Sequence, residues 1–331
     1  MTIREISKLT GVSVATVSRA LNNRPRVSAK TRQKVLAAVQ RFGYTPNASA
    51  RTLSMEKTNT IGVILHQISS GFYATVMAGI ELEARARELH VLITLAHRAD
   101  PERIHHYDML DEARVDGLIV LDSTLPPEGV ARLASYKRPV VMIQKRTDDP
   151  AISTVSANDA AAARTALQHL LGLGYRDLVL VAGPPEAEDS ALRMQGCREA
   201  LEEAGLYLKD IPVIQGSYSA DRALAAFREF RGRNKLPRAV FAFNDDMALA
   251  IMKELRLSRV RVPEDVAVMG FDGTTAADYM GLTTMQVPMI EIGHAAVKLL
   301  AERIANPKAP AAHIALDAAL VVRESCGARR G

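Results

Sequence analysis

The chain has 331 residues, 48% hydrophobic and 24% charged, with a net charge of +5; this balance excludes a disordered tail protein, a collagen-like repeat and a disulfide scaffold, and the length predicts two or three domains. Cys197 and Cys326 are too few for a bridged framework. The amino terminus lacks the apolar core of a signal peptide and no apolar run approaches the roughly 18 residues of a membrane span, so a cytoplasmic location is expected.

The charge is unevenly placed. Residues 1–58 hold 11 Lys and Arg against Glu5 and Glu56, a net +9, and the remainder carries a net −4. A small basic head on a mildly acidic body is the pattern of a polyanion-binding module on a carrier. A solubilising tail would also be basic, but it has no use for the periodic apolar residues found here.

Three short helices are predicted in the head. Thr2 and Glu5 form a T-x-x-E capping box. Ile6 and Leu9 follow at helical spacing, and Gly11 suits the left-handed turn that ends the helix. Ser13 caps a second helix, Val14 to about Asn22, with Val17 and Leu21 inward. Ser28 caps a third, with Val35, Leu36, Val39 and Phe42 inward and Gly43 as its stop. Helix, tight glycine turn, helix is the helix-turn-helix plan. Its second helix places its start in the major groove, braced by the first. The outward residues there are Val14, Ala15, Ser18 and Arg19. An ordinary helical hairpin would show the same pattern.

The run VSVATVSRALNNRPRVSAKTRQKVLAAVQRFGYTPNASARTL resembles the DNA-binding head of the LacI/GalR family of bacterial repressors. The VS-x-x-TVSR core, the later VS-x-x-TR, the GY-x-PN turn and the A-R-x-L segment stand in the right order and spacing. The resemblance implies contacts with a pseudo-palindromic operator duplex from Thr2, Ser13, Val14, Ala15, Thr16, Ser18, Arg19, Asn22, Ser28, Thr31, Tyr44, Asn47, Ala50, Arg51 and Leu53. Asn47 can cap a fourth segment, Ala48 to about Ser54, too short to be a stable helix alone. It resembles the family's hinge helix, which folds when two copies pair over the minor groove. Leu53 stands where a leucine wedges into the central base step and kinks the duplex. A plain linker with a stray leucine is the bland alternative. Ser54 to Thr60 reads as the joint to the body.

In the body, strand-like runs occur at Ile61–Leu65, Val91–Leu95, Gly117–Leu121, Val140–Ile143, Leu178–Val181, Val213–Gln215, Ala239–Phe243 and Val266–Gly270. Helical stretches fall between them at Val76–Arg87, Glu102–Arg114, Ala160–Leu171, Leu192–Ala204, Ala220–Phe230 and Asp246–Leu255. The alternation predicts parallel sheets covered by helices on both faces. The expected fold class is a small all-α helix-turn-helix head plus an α/β body of two doubly wound parallel-sheet lobes. The resemblance implies that these lobes are periplasmic-binding-protein-like. The expected division is a head at 1–46, a hinge and linker at 47–58, and a body at 59–331. Within the body, one lobe takes about 59–157 plus 287–316, and the other about 158–286 plus 317–331.

Ligands of open α/β folds sit beyond the carboxyl ends of the strands. Phe72, Tyr73, Asp189, Arg193, Tyr218, Asn244, Asp245 and Asp272 all follow strand ends. By motif match, Arg193, Asn244 and Asp272 resemble the family's effector-binding positions, and Phe72, Tyr73 and Tyr218 its ring-stacking ones. The effector candidates are therefore Phe72, Tyr73, Asp189, Arg193, Tyr218, Asn244 and Asp272. Each has a bland alternative: Asn244 or Asp245 as a helix cap, Asp272 as a turn residue, Arg193 in a surface ion pair. Lys145 and Arg146 follow the fourth strand, and Gln144 stands where the family often has an aspartate. That departure makes the cleft more positive and favours an acidic ligand, unless Lys145 is simply a solvated loop residue.

Catalysis has no support. Walker, G-x-S-x-G, H-E-x-x-H, C-x-x-C and G-x-G-x-x-G motifs are absent, and the adjacent His105 and His106 do not share a helix face. No catalytic residue, metal or cofactor is expected. The leading expectation is a ligand-responsive repressor of carbohydrate-utilisation genes that answers to a sugar or sugar acid. The tail VVRESCGARRG has no leucine heptads, so a homodimer is expected. A transporter's solute-binding protein is disfavoured by the basic head and the missing signal peptide. A sugar-modifying enzyme would be a third class, and within the family a regulator answering to a purine or nucleoside has the same architecture.

Overall fold

The structure, a computed structural model, describes residues 2–21, 25–43, 58–68, 70–96 and 115–328. The readings at Asn22, Tyr44, Asn47, Ala50, Arg51 and Leu53, the hinge segment 48–54 and the helical stretch 102–114 with His105 and His106 lie outside the described residues. The chain forms two compact units, Met1–Thr58 and Asn59–Gly331. Among the described residues no helix is long and apolar enough to cross a membrane.

The first unit holds α1 (Ile3–Thr10), α2 (Val14–Leu21) and α3 (Ala29–Arg41). The capping box forms as spaced: the Thr2 amide donates to Glu5 Oε2 at 2.7 Å, and the Glu5 amide to Thr2 Oγ1 at 3.4 Å. Gly11 closes α1 at φ +63°, where a side chain would be strained. Ile6, Val17, Ala20 and Val35 are buried together, edged by Ile3, Val12, Leu21, Val27 and Val39. Leu9, Leu36 and Phe42, predicted or patterned as inward, are 53%, 47% and 40% exposed. Three short helices enclose so little volume that each turns only a narrow stripe inward. On α1 that stripe runs from Ile6 to Thr10, whose hydroxyl donates to the Ile6 carbonyl at 2.7 Å. Ser28 Oγ accepts from the Thr31 amide at 3.2 Å and starts α3. Ser28→Ala is expected to cost about 1 kcal/mol, read as an earlier thermal transition of the head in the full chain.

The second unit has two parallel sheets. The first runs β11-β5-β4-β3-β1-β2, built from β1 (Thr60–Leu65), β2 (His90–Leu95), β3 (Gly117–Leu121), β4 (Val140–Ile143), β5 (Ile152–Ala157) and β11 (His313–Leu316). The other runs β7-β6-β8-β9, from β6 (Leu178–Ala182), β7 (Val213–Gln215), β8 (Ala239–Ala242) and β9 (Ala267–Met269). A small antiparallel ribbon pairs β10 (Thr284–Gln286) with β12 (Ala319–Val321). The central strands are continuous Val, Ile and Leu runs because helices cover both faces. The covering helices are α4 (Gly71–Ala86), α5 (Pro127–Ala134), α6 (Asp159–Gly172), α7 (Glu188–Glu203), α8 (Ala220–Arg233), α9 (Asp245–Leu257), α10 (Thr275–Tyr279) and α11 (Met289–Ala305).

All eight predicted strands are present. Strands β5, β10, β11 and β12 and helices α5, α10 and α11 are not among the predicted elements. Helices α4 and α11 cross at reciprocal glycines: a Cβ on Gly293 would lie 2.5 Å from the Val76 carbonyl oxygen, and one on Gly79 2.3 Å from that of Ile290. Asp245, buried at the start of α9, ties three elements together. It accepts from the Thr274 amide at 2.7 Å, the Thr274 hydroxyl at 3.0 Å and the Thr284 hydroxyl at 2.6 Å. Burial nevertheless pushes its carboxyl up to about 6.

Candidate effector cleft and nucleic-acid interface

The carboxyl ends of both sheets supply one cavity. From the first sheet's side come His66, Gln67, Ser70, Phe72, Tyr73, Leu121, Ser123, Ile143 and Gln144. From the other come Asp189, Arg193, Tyr218, Asn244 and Asp272. All seven effector candidates thus share one site. The free space in it is about 40 Å³, room for a few waters. The lobes are held together around it. The Arg146 amide donates to both Glu188 carboxylate oxygens at 3.1 and 3.2 Å, Lys145 reaches Glu188 at 3.5 Å, and the Glu188 amide donates to the Ser123 carbonyl at 3.2 Å.

Arg193 is the centre of the site. It lies on α7, 2% exposed, with its guanidinium 3.8 Å above the Phe271 ring and 5.6 Å from that of Tyr218. Its Nε donates to Asp159 Oδ1 at 2.8 Å, and its Nη1 to the Phe243 carbonyl. Asp272 and Asp189 stand further off, at 3.6 and 3.9 Å. Burial works against the Arg193 charge, but the Tyr218 hydroxyl and the three acids outweigh it and raise its pKa. Burial pushes Asp159 up to about 6 even though Arg193 pulls it down. Burial also holds Asp272 well above the usual carboxylate range, against the pull of Arg193, with Asp245, Asp246 and Asp189 adding to the rise.

The bland readings are only partly excluded. Asn244 does cap α9, its Oδ1 accepting from the Met247 amide at 3.0 Å, and it also lines the cavity. Asp272 does occupy a turn, at φ +118°, with its carboxylate in the site. Arg193 is buried rather than paired on the surface. Tyr218 and Ser217 both have left-handed backbones, φ +59° and +51°, a conformation that non-glycine residues adopt at a cost. This turn lays the Tyr218 ring on Gly183, where a Cβ would meet the ring at 2.4 Å. Phe72 and Tyr73 lie on the first turn of α4, edge to face at 5.4 Å, and the Tyr73 hydroxyl is 2.9 Å from His66 Nε2.

The expectation of a more positive cleft is overturned. Gln144 spends its amide on neighbours, accepting from the Ala157 amide at 2.8 Å and donating to Asp159 at 3.4 Å. The Lys145 side chain and the Arg146 amide engage Glu188, and neither residue lines the cavity. Sequence reasoning missed His66, Ser70, Ser123 and Asp159. The first three follow β1 and β3 directly, so the strand-end rule applied to every strand would have found them. Asp159 follows β5, whose hydroxyl-rich run gives no apolar strand signal.

Comparison with known proteins identifies the scaffold. Residues 2–47 match the family described as bacterial regulatory proteins, lacI family, and residues 167–326 match the periplasmic binding protein-like domain. Catabolite control protein A of Priestia megaterium is 32% identical over 303 residues, 91% of each chain. The chain belongs to the lacI family of bacterial regulatory proteins. Among solved structures, the transcriptional regulator CelR–cellobiose complex is 30% identical with a TM-score of 0.74, over 98% of this chain and 99% of that one. The lac repressor dimer bound to operator and the anti-inducer ONPF is 26% identical with a TM-score of 0.88, over 99% of each chain. As a lacI-family member, the protein is a DNA-binding transcriptional regulator with an effector-binding domain.

On the lacI-type head, Val14, Ala15 and Arg19 are exposed on α2, and Ser18 is half-buried beside them. Thr2, Ser13 and Ser28 stand at the starts of α1, α2 and α3, where free amides and the helix dipole favour phosphate. Ser13 and Thr16 share a hydroxyl contact at 2.9 Å, as do Ser28 and Thr31 at 2.8 Å.

Proposed function

We propose that this protein is a cytoplasmic, non-catalytic repressor of carbohydrate-utilisation genes, binding a pseudo-palindromic operator as a homodimer and switched by a small polyhydroxylated ligand. The observation that carries this reading is a cavity lined jointly by Phe72, Tyr73, Asp189, Arg193, Tyr218, Asn244 and Asp272, in one chain with a helix-turn-helix head. Aromatic faces suit the apolar faces of sugar rings, and Asn, Asp and Arg hold neighbouring hydroxyls. The cellobiose in the CelR complex supports the sugar class. In this reading Val14 and Ala15 meet thymine methyl groups, which small apolar side chains can do without bidentate hydrogen bonds. Thr2, Ser13, Thr16, Ser28 and Thr31 contact phosphates, and Ser18, Arg19 and Asn22 flank them. Tyr44 adds a contact from the end of the head, and the hinge region 47–58, with Asn47, Ala50, Arg51 and Leu53, folds over the minor groove when two copies pair, cleft closure setting the cost of that folding.

The test is reciprocal titration. Ligands found by thermal shift, which reports binding as added native stability, are titrated with and without operator, and operator with and without ligand. A coupling of about 1–3 kcal/mol, or roughly 5–150-fold, is expected, equal in both directions. Identical affinities in every arm would sink the switch.

A further inference from the structure

The cavity lining is richer in acids than in bases. One guanidinium, Arg193, faces three carboxylates, Asp159, Asp189 and Asp272. Its short hydrogen bonds go to Asp159 and to the Phe243 carbonyl. Asp189 and Asp272, at 3.9 and 3.6 Å, are left at distances too long for good hydrogen bonds. Lys145 is engaged with Glu188, and neither it nor Arg146, whose charge reaches Asp159, lines the cavity. Two cavity-lining groups also bury an atom without a hydrogen bond of good geometry: Asp189 Oδ1, on a residue 8% exposed, and the Tyr218 hydroxyl. A buried carboxylate oxygen without a well-placed donor is costly, and the acid-rich lining and Asp189 Oδ1 ask for the same thing.

We propose that the effector is a small polyhydroxylated molecule bearing a primary amine, its ammonium seated against Asp189 and the Tyr218 hydroxyl. An ammonium brings three donors and no acceptor. It brings a positive charge to an acid-rich lining, and the aromatic wall of Phe72 and Tyr73 is compatible with a cation. A sugar acid brings a further carboxylate to a site that already has too many. The raised Asp272 carboxyl, driven first by burial, ionises more readily beside an ammonium, so amine binding releases protons.

The inference rests on the cleft being the effector site, and the experiment separates the two. Full-length protein is titrated calorimetrically with matched sets of one configuration: glucose, glucosamine and glucuronate, then galactose, galactosamine and galacturonate. The amine is expected to bind roughly tenfold or more tighter than the acid of its set, with proton release seen as buffer-dependent heat. Asp189→Asn is expected to remove that preference, weakening the amine roughly tenfold more than the neutral sugar of its set. A hexuronate that binds as tightly as the amine overturns the proposal and leaves the ligand-switched repressor standing. An amine that binds in the expected order but leaves operator affinity unchanged supports the site and sinks the switch. A ligand-free arm decides the matter even when no probe binds. Asp189→Asn removes a buried carboxylate oxygen without a well-placed donor and gives Tyr218 an amide donor, so it is expected to raise the melting temperature of the ligand-free chain by about 2–4 °C. A fall or no change overturns the proposal.

Discussion

Arg193→Met is expected to destabilise the body by about 3–5 kcal/mol and to abolish the response to effector. Methionine fills much of the same volume, so the loss is electrostatic rather than steric. Removing one partner of a buried pair strands the other, and here Asp159 is buried with its Oδ1 bonded to Arg193 Nε at 2.8 Å. Asp189 and Asp272 lose their nearest cation as well. The pH dependence gives the prediction a second edge. Burial already raises the Asp159 carboxyl from its ordinary 3.8 to about 6 while Arg193 pulls it down; without Arg193 it rises further. A carboxyl whose folded pKa is raised favours folding below its unfolded pKa, and that contribution is lost as pH rises through the folded value. The deficit of Arg193→Met should therefore be smallest near pH 5 and grow toward pH 8. Urea midpoints at both pH values check it, and a deficit independent of pH would show that Arg193 acts by packing alone.

Gly293→Val is expected to cost about 3 kcal/mol or more, at or beyond the upper end of ordinary overpacking. The Cβ would fall 2.5 Å from the Val76 carbonyl oxygen and 2.6 Å from the Ile80 nitrogen. These are backbone atoms of α4, so no side-chain rotation relieves the clash. Gly79 cannot yield either, since it has no side chain and its own space is filled by Ile290. Helices α4 and α11 must separate, and α11 also packs on β3, β4 and β5. Lys298→Val on the exposed face of α11 is the control, expected within about 0.5 kcal/mol of the wild type. Equal losses from both variants would mean that valine's helix propensity, and not the crossing, is responsible.

What the sequence revealed follows from where the information lies. The eight predicted strands are apolar runs bounded by turns, a local signal. Strand β5, ISTVSA, is just as buried but carries Ser153, Thr154 and Ser156 in the interior. Two of these hydroxyls find partners only in a segment 159 residues later: Ser153 accepts from the Ala312 amide at 3.2 Å, and Thr154 meets His313 Nδ1 at 2.9 Å. No window of sequence contains that pairing. Asp159 and Arg193 are closer, 34 residues apart on the neighbouring helices α6 and α7, but no short window contains that pairing either. Helix α11 is different. Met289, Ile292, Ala296, Leu299 and Leu300 stand at helical spacing and are buried, so its signal is as local as that of any predicted helix. In the head, Leu9 and Leu36 show that spacing marks a stripe without deciding which edge of it reaches so small a core.

The late pairing of β11 with β5 has a consequence for the order in which the body can mature. A ribosome delivers β1 to β5 early and the strands of the second sheet by Met269, yet neither lobe is then finished. Strand β5 keeps an open edge until His313–Leu316 emerges, and the Val268 carbonyl on β9 waits for the Ser325 hydroxyl, which donates to it at 2.6 Å. An unpaired β5 edge is a template for the wrong partner, so the nascent body stays vulnerable to aggregation through most of its translation. Truncations that remove the last two dozen residues should leave both lobes dependent on chaperones, because the tail closes them both.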